Sequence, residues 1–420
     1  MSDRLAVLLY GDVVGHLDRT DERSAATFGY TDSYASLGEV ALTARLPLAV
    51  TTFPGSRTEP YLRGLLPENP ATLDLWSRRL GTGPDDLFGI LAAMGWDCPG
   101  AVQFSEPSRV DELLTRGCEY EPVTDAEIGE RLRALATRPA SWTMPDERWS
   151  LGGQQEKFAL ARIDGKWHTA YGSAATTHIV KPGIQALFHQ ALVEHATMAA
   201  AAAIGVDIAR SELKQFDDQW AIVVERFDRT TDPARAVTRI HQEDFCQALG
   251  RMPAQKYESR GGPGLRDMVR LLKRESTVLL DDLLALADFA IINLVAGAPD
   301  GHSKNISLLR APGRTWVAPL YDLATGLAYE NEQVDRSVAL SIGGVRHPAQ
   351  IFAKQWDKAA AVLGLDPDLV RSRVGNLAAA FPQAFADALT MLGDAPGAVE
   401  VADRGLPAVQ RHCDLVLSHL

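Results

Sequence analysis

A short polar loop from Asp300 to Asn305 combines side chains that could transfer a phosphoryl group. An apolar stretch stops at Pro299, the residues DGHSKN follow, and an alternating, strand-like run then begins. An ordinary turn needs only two to four polar residues. Phosphoryl transfer requires a carboxylate near the attacking hydroxyl, oxygen ligands for magnesium and positive charge beside the phosphate. This loop contains each of these residue types.

Each residue type in the loop has a matching role. Asp300 can be the catalytic carboxylate, and Asn305 can bind Mg²⁺ through its amide oxygen. His302 and Lys304 can face phosphate. The separation of five residues between Asp300 and Asn305 is also that of the protein-kinase catalytic loop. A polar hairpin between a helix and a strand is the alternative, and so short a motif does not decide between them.

A second carboxylate, Asp322, ends the apolar run WVAPLYD downstream of the loop. A kinase needs a second magnesium-binding carboxylate after the hairpin that follows its catalytic loop. Taken alone, Asp322 would more readily cap a helix formed by the next residues, LATGL. Its distance from Asp300 and Asn305 favours the metal ligand.

Upstream, the segment SLGGQQEK spans Ser150 to Lys157. Gly152 and Gly153 would allow backbone N–H groups to approach a phosphate closely, and Lys157 adds positive charge. The segment lacks the Gly-Lys-Ser/Thr ending of a Walker loop, and a glycine pair alone is typical of a turn.

Two further segments match the parts of a kinase that hold the nucleotide. Lys181 ends an apolar strand one hairpin after the glycine pair, where a kinase places its phosphate-binding lysine, and Glu194 on the next helix would be its partner. Lone Lys and Glu residues are mostly exposed and unrelated. The stretch VVERFDR suits a hinge whose backbone pairs with adenine and whose Phe227 packs against it, although alone it is an ordinary strand exit.

The order of these segments decides between the readings. Glycine loop, hairpin, strand lysine, helix glutamate, hinge strand, helical lobe, catalytic loop, second hairpin and metal carboxylate follow one another as in a protein kinase. The sequence therefore predicts an ATP- and Mg²⁺-dependent kinase.

The elements that must position these residues indicate an α+β chain with two lobes. Residues 4–105 alternate in short segments and are predicted to form a β-rich domain, and residues 108–136 a connection ending in a helix capped by Thr124 or Asp125. Strands are predicted at Phe158–Ile163 and Lys166–Tyr171, joined by an Asp-Gly turn, and at His178–Lys181. A helix is predicted from residue 186, with Gly205 as its C-cap.

From Gln242 onward the pattern predicts an almost wholly helical chain. The exceptions are the polar loop and the strand pair Ile306–Leu309 and Thr315–Ala318. The predicted domains are 1–105, an N-terminal subdomain, 106–140, a connection, 141–228, a kinase N-lobe, and 229–420, a helical C-lobe.

Composition excludes several classes of protein. The 420 residues are 46% hydrophobic, and the net charge of −12 disfavours a protein held to nucleic acid by its overall charge. No apolar run reaches the roughly 18 residues of a membrane helix. The first apolar run of the chain, LAVLLY, is too short for the core of a secretory signal. The cysteines share no metal-ligand spacing and are expected to be reduced, in a cytoplasmic protein; they are Cys98, Cys118, Cys246 and Cys413.

Seven segments in this order resemble the HipA family of bacterial serine/threonine kinase toxins. They are SLGGQQEKFAL, TTHIVKP, VERFDR, RIHQEDFCQALG, KYESRGGPG, PDGHSKNISLL and PLYDLATG. The resemblance covers nearly the whole chain: about 5–105 is similar to the coupling domain and about 147–390 to the kinase core. It implies a two-lobed, protein-kinase-like fold and a non-specific serine/threonine protein kinase.

The resemblance also implies roles for individual residues. Asp300 would be the catalytic base, and Asn305 and Asp322 the Mg²⁺ ligands. Ser150 matches a serine whose autophosphorylation shuts the kinase down. The residues around ATP would be Gly152, Gly153, Gln154, Gln155, Glu156, Lys157, Lys181, Glu225, Arg226, Phe227, His302, Ser303, Lys304, Asn305, Tyr321 and Asp322.

The implied partners are an aminoacyl-tRNA synthetase as substrate and a small HipB-like helix-turn-helix antitoxin, through which alone the chain would meet DNA. No membrane partner is expected. One departure concerns substrate choice: only PGIQALFHQAL separates Lys181 from the Glu194 helix, where longer members carry a mobile loop.

Two rival functions remain open. A pseudokinase co-repressor on an antitoxin–DNA complex would not need the full set Lys181, Asp300, Asn305 and Asp322. A small-molecule or lipid kinase is disfavoured by the acidic balance, which opposes a membrane-surface substrate.

Overall fold

The computed structural model describes residues 3–21, 24–115, 119–137, 147–231, 237–330 and 333–420. The chain divides into two compact units. The first unit comprises Met1–Pro182, Gln215–Pro253 and Leu308–Arg314, and the second comprises Gly183–Lys214, Ala254–Ser307 and Thr315–Leu420. The four domain ranges predicted from the sequence stay predictions.

The first unit opens with a five-stranded antiparallel sheet of order β4-β3-β2-β1-β5 and four helices. The strands are β1 (Arg4–Leu9), β2 (Asp12–Asp18), β3 (Thr27–Tyr30), β4 (Thr52–Phe53) and β5 (Val102–Ser105). The helices are α1 (Asp32–Leu37), α2 (Gly55–Gly64), α3 (Pro70–Leu80) and α4 (Leu87–Met94). Strand β1 is buried on both faces, because Leu5 and Val7 join the main core while Ala6 packs near Trp96 and Leu113 on the other side.

A six-stranded sheet of order β10-β11-β9-β7-β8-β6 follows. Its strands are β6 (Glu119–Pro122), β7 (Phe158–Ile163), β8 (Lys166–Tyr171), β9 (His178–Lys181), β10 (Ser211–Phe216) and β11 (Gln219–Glu225). The three strands predicted between residues 158 and 181 are confirmed. Asp164 and Gly165 both have positive φ, as a two-residue hairpin turn requires. Strand β6 was missed because EYEP is short and mostly exposed.

Two helices flank β6, namely α5 (Val110–Thr115) and α6 (Asp125–Thr137). Of the two predicted caps, Thr124 is the one that caps α6: its hydroxyl accepts from the Glu127 N–H at 3.2 Å, and the Glu127 carboxylate accepts from the Thr124 N–H at 2.8 Å. The first unit also contains β12 (Arg229–Thr231), β13 (Val237–Arg239), β14 (His241–Asp244) and α8 (Phe245–Ala248). Strand β15 (Ser307–Ala311) lies beside β14.

The second unit is mainly helical. It contains α7 (Gln190–Ala203), α9 (Leu265–Glu275), α10 (Leu279–Val295), strand β16 (Arg314–Val317), α11 (Ala353–Leu363), α12 (Pro367–Met391) and α13 (Ala398–Ser418). Helix α7 begins four residues later than predicted, because His189 has a left-handed φ of 47°. Its C-cap is Ile204 instead of Gly205, which follows with a φ of 82°.

The almost wholly helical chain predicted from Gln242 onward is wrong in three places. Strand β14 occupies residues 241–244, residues 249–264 contain 3₁₀ turns but no α-helix, and residues 318–352 lack an α-helix in their described part. Positive φ angles at Asp322, Gly343 and Gly344 interrupt helical geometry there. Single 3₁₀ turns occur at Pro107–Arg109, Pro253–Gln255, Glu258–Arg260 and Pro348–Gln350.

Two predictions from composition can be compared with the described residues. Among them, no helix is both long and apolar enough to span a membrane. Cys98, Cys246 and Cys413 are buried thiols outside any disulfide, whereas Cys118 lies outside the described residues.

Candidate functional site

The polar loop of the second unit connects α10 to β15 and presents one carboxylate to solvent. The Asp300 side chain is 56% exposed, whereas residues 301–305 are buried. Its carboxylate accepts a hydrogen bond from the Tyr257 hydroxyl, and the Nε2 atom of His302 lies 3.7 Å from it. Asp300 is therefore accessible to another molecule while its orientation is set by Tyr257.

The side-chain amide of Asn305 is oriented by the main chain of Asp300. Its Nδ2 atom donates to the Asp300 carbonyl at 2.8 Å, and the same carbonyl accepts from the His302 N–H at 2.8 Å. With the nitrogen so engaged, the amide oxygen is the atom suited to bind a metal ion. One backbone carbonyl thus fixes the predicted metal ligand relative to the predicted base.

Gly301 is required by close packing inside the loop. A Cβ atom at this position would lie 2.4 Å from Cγ of Asn293. The Asn293 amide is itself fixed, because its Nδ2 atom donates to the Phe289 carbonyl of α10 at 2.8 Å. Helix α10 therefore determines where the loop begins.

His302 does not supply the positive charge that the sequence suggested. Burial, together with the charge of Lys256, lowers the pKa of His302 to about 3, although the charge of Asp322 acts in the opposite direction. The imidazole is therefore neutral at physiological pH. A neutral ring can still form hydrogen bonds, and its Nδ1 atom is buried without a protein partner.

Three further residues predicted around ATP hold the loop together. The Ser303 hydroxyl donates to the Lys256 carbonyl at 2.9 Å. The Tyr321 hydroxyl donates to the carbonyl of Lys304 at 2.7 Å and lies 2.7 Å from the Ser307 hydroxyl. Lys304 itself is buried. Ser303 and Tyr321 thus have structural contacts besides their predicted place beside the nucleotide.

Asp322 does not cap a helix. Residues 321–325 are irregular, and Asp322 has a φ of 58° in the left-handed region. Asp and Asn tolerate this conformation better than other non-glycine residues. Its charge acts on His302, so the second carboxylate lies in the electrostatic surroundings of the loop. The helix-cap alternative is wrong, and the assignment as a metal ligand stays a prediction.

Tyr257 is the residue that sequence reasoning missed. Besides donating to Asp300, its ring meets His302 edge to face with centroids 4.9 Å apart. The segment KYESRGGPG contributes to the family resemblance, but its sequence assigns no role to Tyr257. A tyrosine 43 positions from its partner carries no local signal of this contact.

Tyr257→Phe is expected to lower kcat for phosphoryl transfer roughly 3- to 30-fold, because a hydrogen bond to a charged group is lost. The edge-to-face contact with His302 remains in this variant, so the fold should be unchanged. Steady-state kinetics and a thermal melt measure the two quantities. A wild-type kcat would show that Tyr257 does not orient Asp300.

In the first unit, the segment from Ser150 to Lys157, here called the glycine loop, is closely packed. The Ser150 side chain is fully buried and its hydroxyl donates to the Leu65 carbonyl at 2.6 Å. A Cβ atom on Gly152 would lie 2.4 Å from the Gly64 carbonyl oxygen, and Gly153 has a φ of 102°. Both glycines are therefore needed for conformation as well as for any approach to phosphate.

The polar residues of the glycine loop differ in exposure. Lys157 donates from Nζ to the Gly152 carbonyl at 2.9 Å, and Glu156 accepts from Nδ2 of Asn69 at 2.7 Å. Gln154 is exposed and Gln155 is half-buried. Lys181 lies on β9 of the same unit, is buried, and is aligned with Ile222 of β11.

The predicted hinge, residues 225–227, ends β11. Glu225 is exposed, Phe227 is half-buried and Arg226 is buried. The guanidinium of Arg226 contacts Asp228 at 2.8 Å and the Cys98 carbonyl at 3.0 Å. Arg226 therefore has a structural function in its side chain, and a contact with a nucleotide would have to come from its main chain.

Arg226 belongs to a buried ion cluster centred on Asp97. Arg229 and Arg239 each lie 2.9 Å from the Asp97 carboxylate, and Arg226 lies 3.4 Å from it. Burial alone would raise the pKa of Asp97, but the charges of these three arginines, with the Thr176 hydroxyl, hold the pKa below its usual range. Through Arg226, the hinge is thus anchored in a buried network of charged side chains.

Glu194 is buried on α7 of the second unit, and its Oε2 atom accepts from Nε2 of Gln190 at 3.1 Å. Burial and the charge of Glu194 raise the pKa of the Tyr329 hydroxyl. The ion pair with Lys181 stays a prediction, because the two residues belong to different units.

Comparison with known proteins identifies the family. The family model "HipA-like C-terminal domain" matches residues 149–385, and the model "HipA N-terminal domain" matches residues 5–105. The chain is a member of the HipA family.

Relatives from two bacterial species illustrate the relationship. The chain is 36% identical over 389 residues to Y4mE of Sinorhizobium fredii, which carries a kinase name, and the match covers 91% of both chains. It is 30% identical to the serine/threonine-protein kinase toxin HipA of Shewanella oneidensis, over 88% of this chain and 86% of that one.

A solved structure of a HipA protein confirms the fold class. The Shewanella oneidensis HipA, determined with HipB and operator DNA, matches 99% of each chain with a TM-score of 0.83 at 27% identity. The α+β, two-lobed kinase-like fold class predicted from the sequence is confirmed.

Proposed function

We propose that this HipA-family chain is an ATP- and Mg²⁺-dependent serine/threonine protein kinase. The observation that carries the proposal is the arrangement around the Asp300 main chain. Its carbonyl orients the Asn305 amide, while its carboxylate faces solvent and receives the Tyr257 hydrogen bond. A base and a metal-binding oxygen held on one loop are the parts that phosphoryl transfer to a hydroxyl needs.

In the proposed reaction, the oxygen of a substrate serine or threonine forms a bond to the γ-phosphorus of ATP. The bond from that phosphorus to the bridging oxygen breaks, and ADP leaves with the electron pair. The proton of the attacking hydroxyl passes to the Asp300 carboxylate. Tyr257 holds this carboxylate in place, and the exposure of Asp300 allows a protein side chain to reach it.

Asn305 and Asp322 would hold Mg²⁺. Among the described residues, no group of three or more acidic, histidine or cysteine side chains forms a metal site. One carboxylate and one amide nevertheless suit this ion, because Mg²⁺ usually takes one or two protein oxygens and completes its shell with phosphates and water. When bound, it neutralises charge on the phosphates.

The remaining predicted residues would bind the nucleotide. Backbone N–H groups of the glycine loop and the ammonium groups of Lys181 and Lys304 suit phosphate. The C-terminal end of β11 and the residues after it, 225–227, would contact adenine. His302 would contribute a hydrogen bond and not a charge, since its pKa is about 3.

We further propose that the chain is the toxin of a toxin–antitoxin pair and that it acts in the cytoplasm. Its substrate would be an aminoacyl-tRNA synthetase, and its partner a HipB-like antitoxin. The relative from Shewanella oneidensis was solved with HipB and operator DNA. A net charge of −12 supports contact with DNA only through such a partner.

The kinase function is tested by incubating the purified chain with γ-labelled ATP and cell lysate, with Asp300→Asn as the control. Label on serine or threonine of a protein supports the proposal. Label in lipid or a small molecule would favour the rival kinase class. No transfer beyond the control, with the antitoxin–DNA complex still formed, would favour a pseudokinase co-repressor.

Ser150→Ala is expected to keep the kinase active during long incubation with ATP, while wild type loses activity and gains a phosphate on Ser150. A phosphate adds about −1.5 to −2 charge units and cannot fit where a buried hydroxyl contacts the Leu65 carbonyl. Mass spectrometry and activity, followed over the same time course, measure both changes. Undiminished wild-type activity without Ser150 phosphate would contradict self-inactivation.

A further inference from the structure

The glycine loop is fastened along its length to residues 64–69, here called the docking segment. Gly152 packs on the Gly64 carbonyl, and the Ser150 hydroxyl donates to the Leu65 carbonyl at 2.6 Å. The Glu68 N–H donates to the Gly153 carbonyl at 2.9 Å, next to a parallel bridge between Pro67 and Gly153. Both segments belong to the first unit, although more than 80 residues separate them in sequence.

Asn69 supplies the side-chain contact at the end of the docking segment. Its Nδ2 atom donates to the Glu156 carboxylate at 2.7 Å. Its Oδ1 atom accepts from the Ala71 N–H at 3.0 Å and so caps α3. One amide therefore joins the start of a helix to the far end of the glycine loop.

We propose that Asn69 is a positioning residue for ATP binding, acting through Glu156 and the docked glycine loop. This inference rests on the proposed function. A loop that offers N–H groups to phosphate binds best when its backbone is already in the bound conformation, since ordering it on binding costs free energy. Here the docking segment imposes that conformation through the main chain of Gly153 and the side chain of Glu156.

The same docking restrains the modification of Ser150. The hydroxyl is fully buried and donates to the Leu65 carbonyl, so it must leave this site before it can attack a phosphate. Every contact that holds the loop therefore favours nucleotide binding and opposes phosphorylation of Ser150. Weakening the docking should raise KM for ATP and accelerate Ser150 phosphorylation together.

Asn69→Asp is the variant that isolates this contact. An aspartate keeps the oxygen that caps α3 but replaces the donor with a carboxylate facing Glu156. We expect KM for ATP to rise about tenfold, in keeping with the loss of one hydrogen bond to a charged group, while kcat changes less than about twofold. Ser150 phosphorylation and hydrogen exchange in residues 150–157 should both become several-fold faster.

A double variant supplies the rescue. In a Glu156→Gln background, the new amide can donate to the carboxylate introduced by Asn69→Asp. Adding Asn69→Asp to this background should therefore raise neither KM for ATP nor the rate of hydrogen exchange above the values of Glu156→Gln alone. Asp366→Asn is the matched control, because Asp366 caps α12 in the same way through the Asp368 N–H and lies in the second unit. It should leave all four quantities unchanged.

Unchanged KM and unchanged hydrogen exchange in Asn69→Asp would overturn the proposal, as would additive effects in the double variant. Hydrogen exchange and its rescue do not depend on turnover. If wild type transfers no phosphoryl group, the proposed kinase function fails. The docking of the loop is then still decided by exchange.

Discussion

Asp300→Asn is expected to lower kcat by at least about 10²-fold, within the usual range for removing a general base. The amide cannot accept the proton of the attacking hydroxyl. It has nearly the same shape as the carboxylate, and its oxygen can still accept from Tyr257, so stability should be retained. Single-turnover transfer from labelled ATP measures the loss, and a thermal melt checks the fold.

The control for this variant is Asp394→Asn, which makes the same chemical change at an exposed position of the same unit. Surface substitutions of this kind usually alter stability by less than about 0.5 kcal/mol. ATP affinity should be preserved in both variants, because Asp300 acts on the hydroxyl and not on the nucleotide. A near wild-type rate in Asp300→Asn would remove Asp300 from its assigned role.

Loss of the Asp322 carboxylate is expected to be the second largest effect, lowering kcat/KM roughly 10²- to 10³-fold at fixed Mg²⁺, in the range for losing one group that stabilises transition-state charge. Asp322→Asn is the better variant to test. Asn accepts the left-handed φ of 58° that this residue adopts, whereas Ala would add backbone strain. The Mg²⁺ concentration needed for half-maximal rate should rise strongly.

Asn305→Ala should have a smaller effect than Asp322→Asn, because the amide contributes an oxygen but no charge. It also removes the bond to the Asp300 carbonyl, so some loss of kcat at saturating Mg²⁺ is expected. Calorimetry of ATP binding with and without Mg²⁺ separates the two effects. If Asp322→Asn leaves the dependence on Mg²⁺ unchanged, the assignment of Asp322 as a Mg²⁺ ligand has no support.

Local signals predicted the parts of the fold that depend on neighbouring residues. The Asp164-Gly165 turn and Pro182 define the strands between residues 158 and 181, and the structure confirms their bounds. A few adjacent residues likewise narrow the cap of α6 to Thr124 or Asp125, and the structure shows Thr124. Residues 318–352 were wrongly expected to be mainly helical, because their apolar content does not show that Asp322, Gly343 and Gly344 have positive φ.

Contacts between distant segments could not be predicted from one sequence. Tyr257 donates to a carboxylate 43 residues away, and Asn69 to one 87 residues away. The neutral state of His302 depends on burial and on Lys256, which only a folded chain brings near. The roles of the site residues stay predictions, and they rest on the order of side chains that kinase chemistry requires, which is visible in sequence.

The ion cluster around Asp97 limits how genes of this kind can be recombined. Asp97 comes from the part matching the HipA N-terminal domain, and Arg226, Arg229 and Arg239 come from the part matching the C-terminal domain. Removing one partner of a buried ion pair costs about 3–5 kcal/mol, while a whole protein has only about 5–15 kcal/mol of stability. A chimera that joined a kinase core to a foreign N-terminal part lacking this aspartate would leave three largely buried guanidinium groups without one of their carboxylates, with Asp228 still paired to Arg226 and Arg229. A stable chimera is therefore expected to require an N-terminal part that supplies an acidic residue at the position of Asp97.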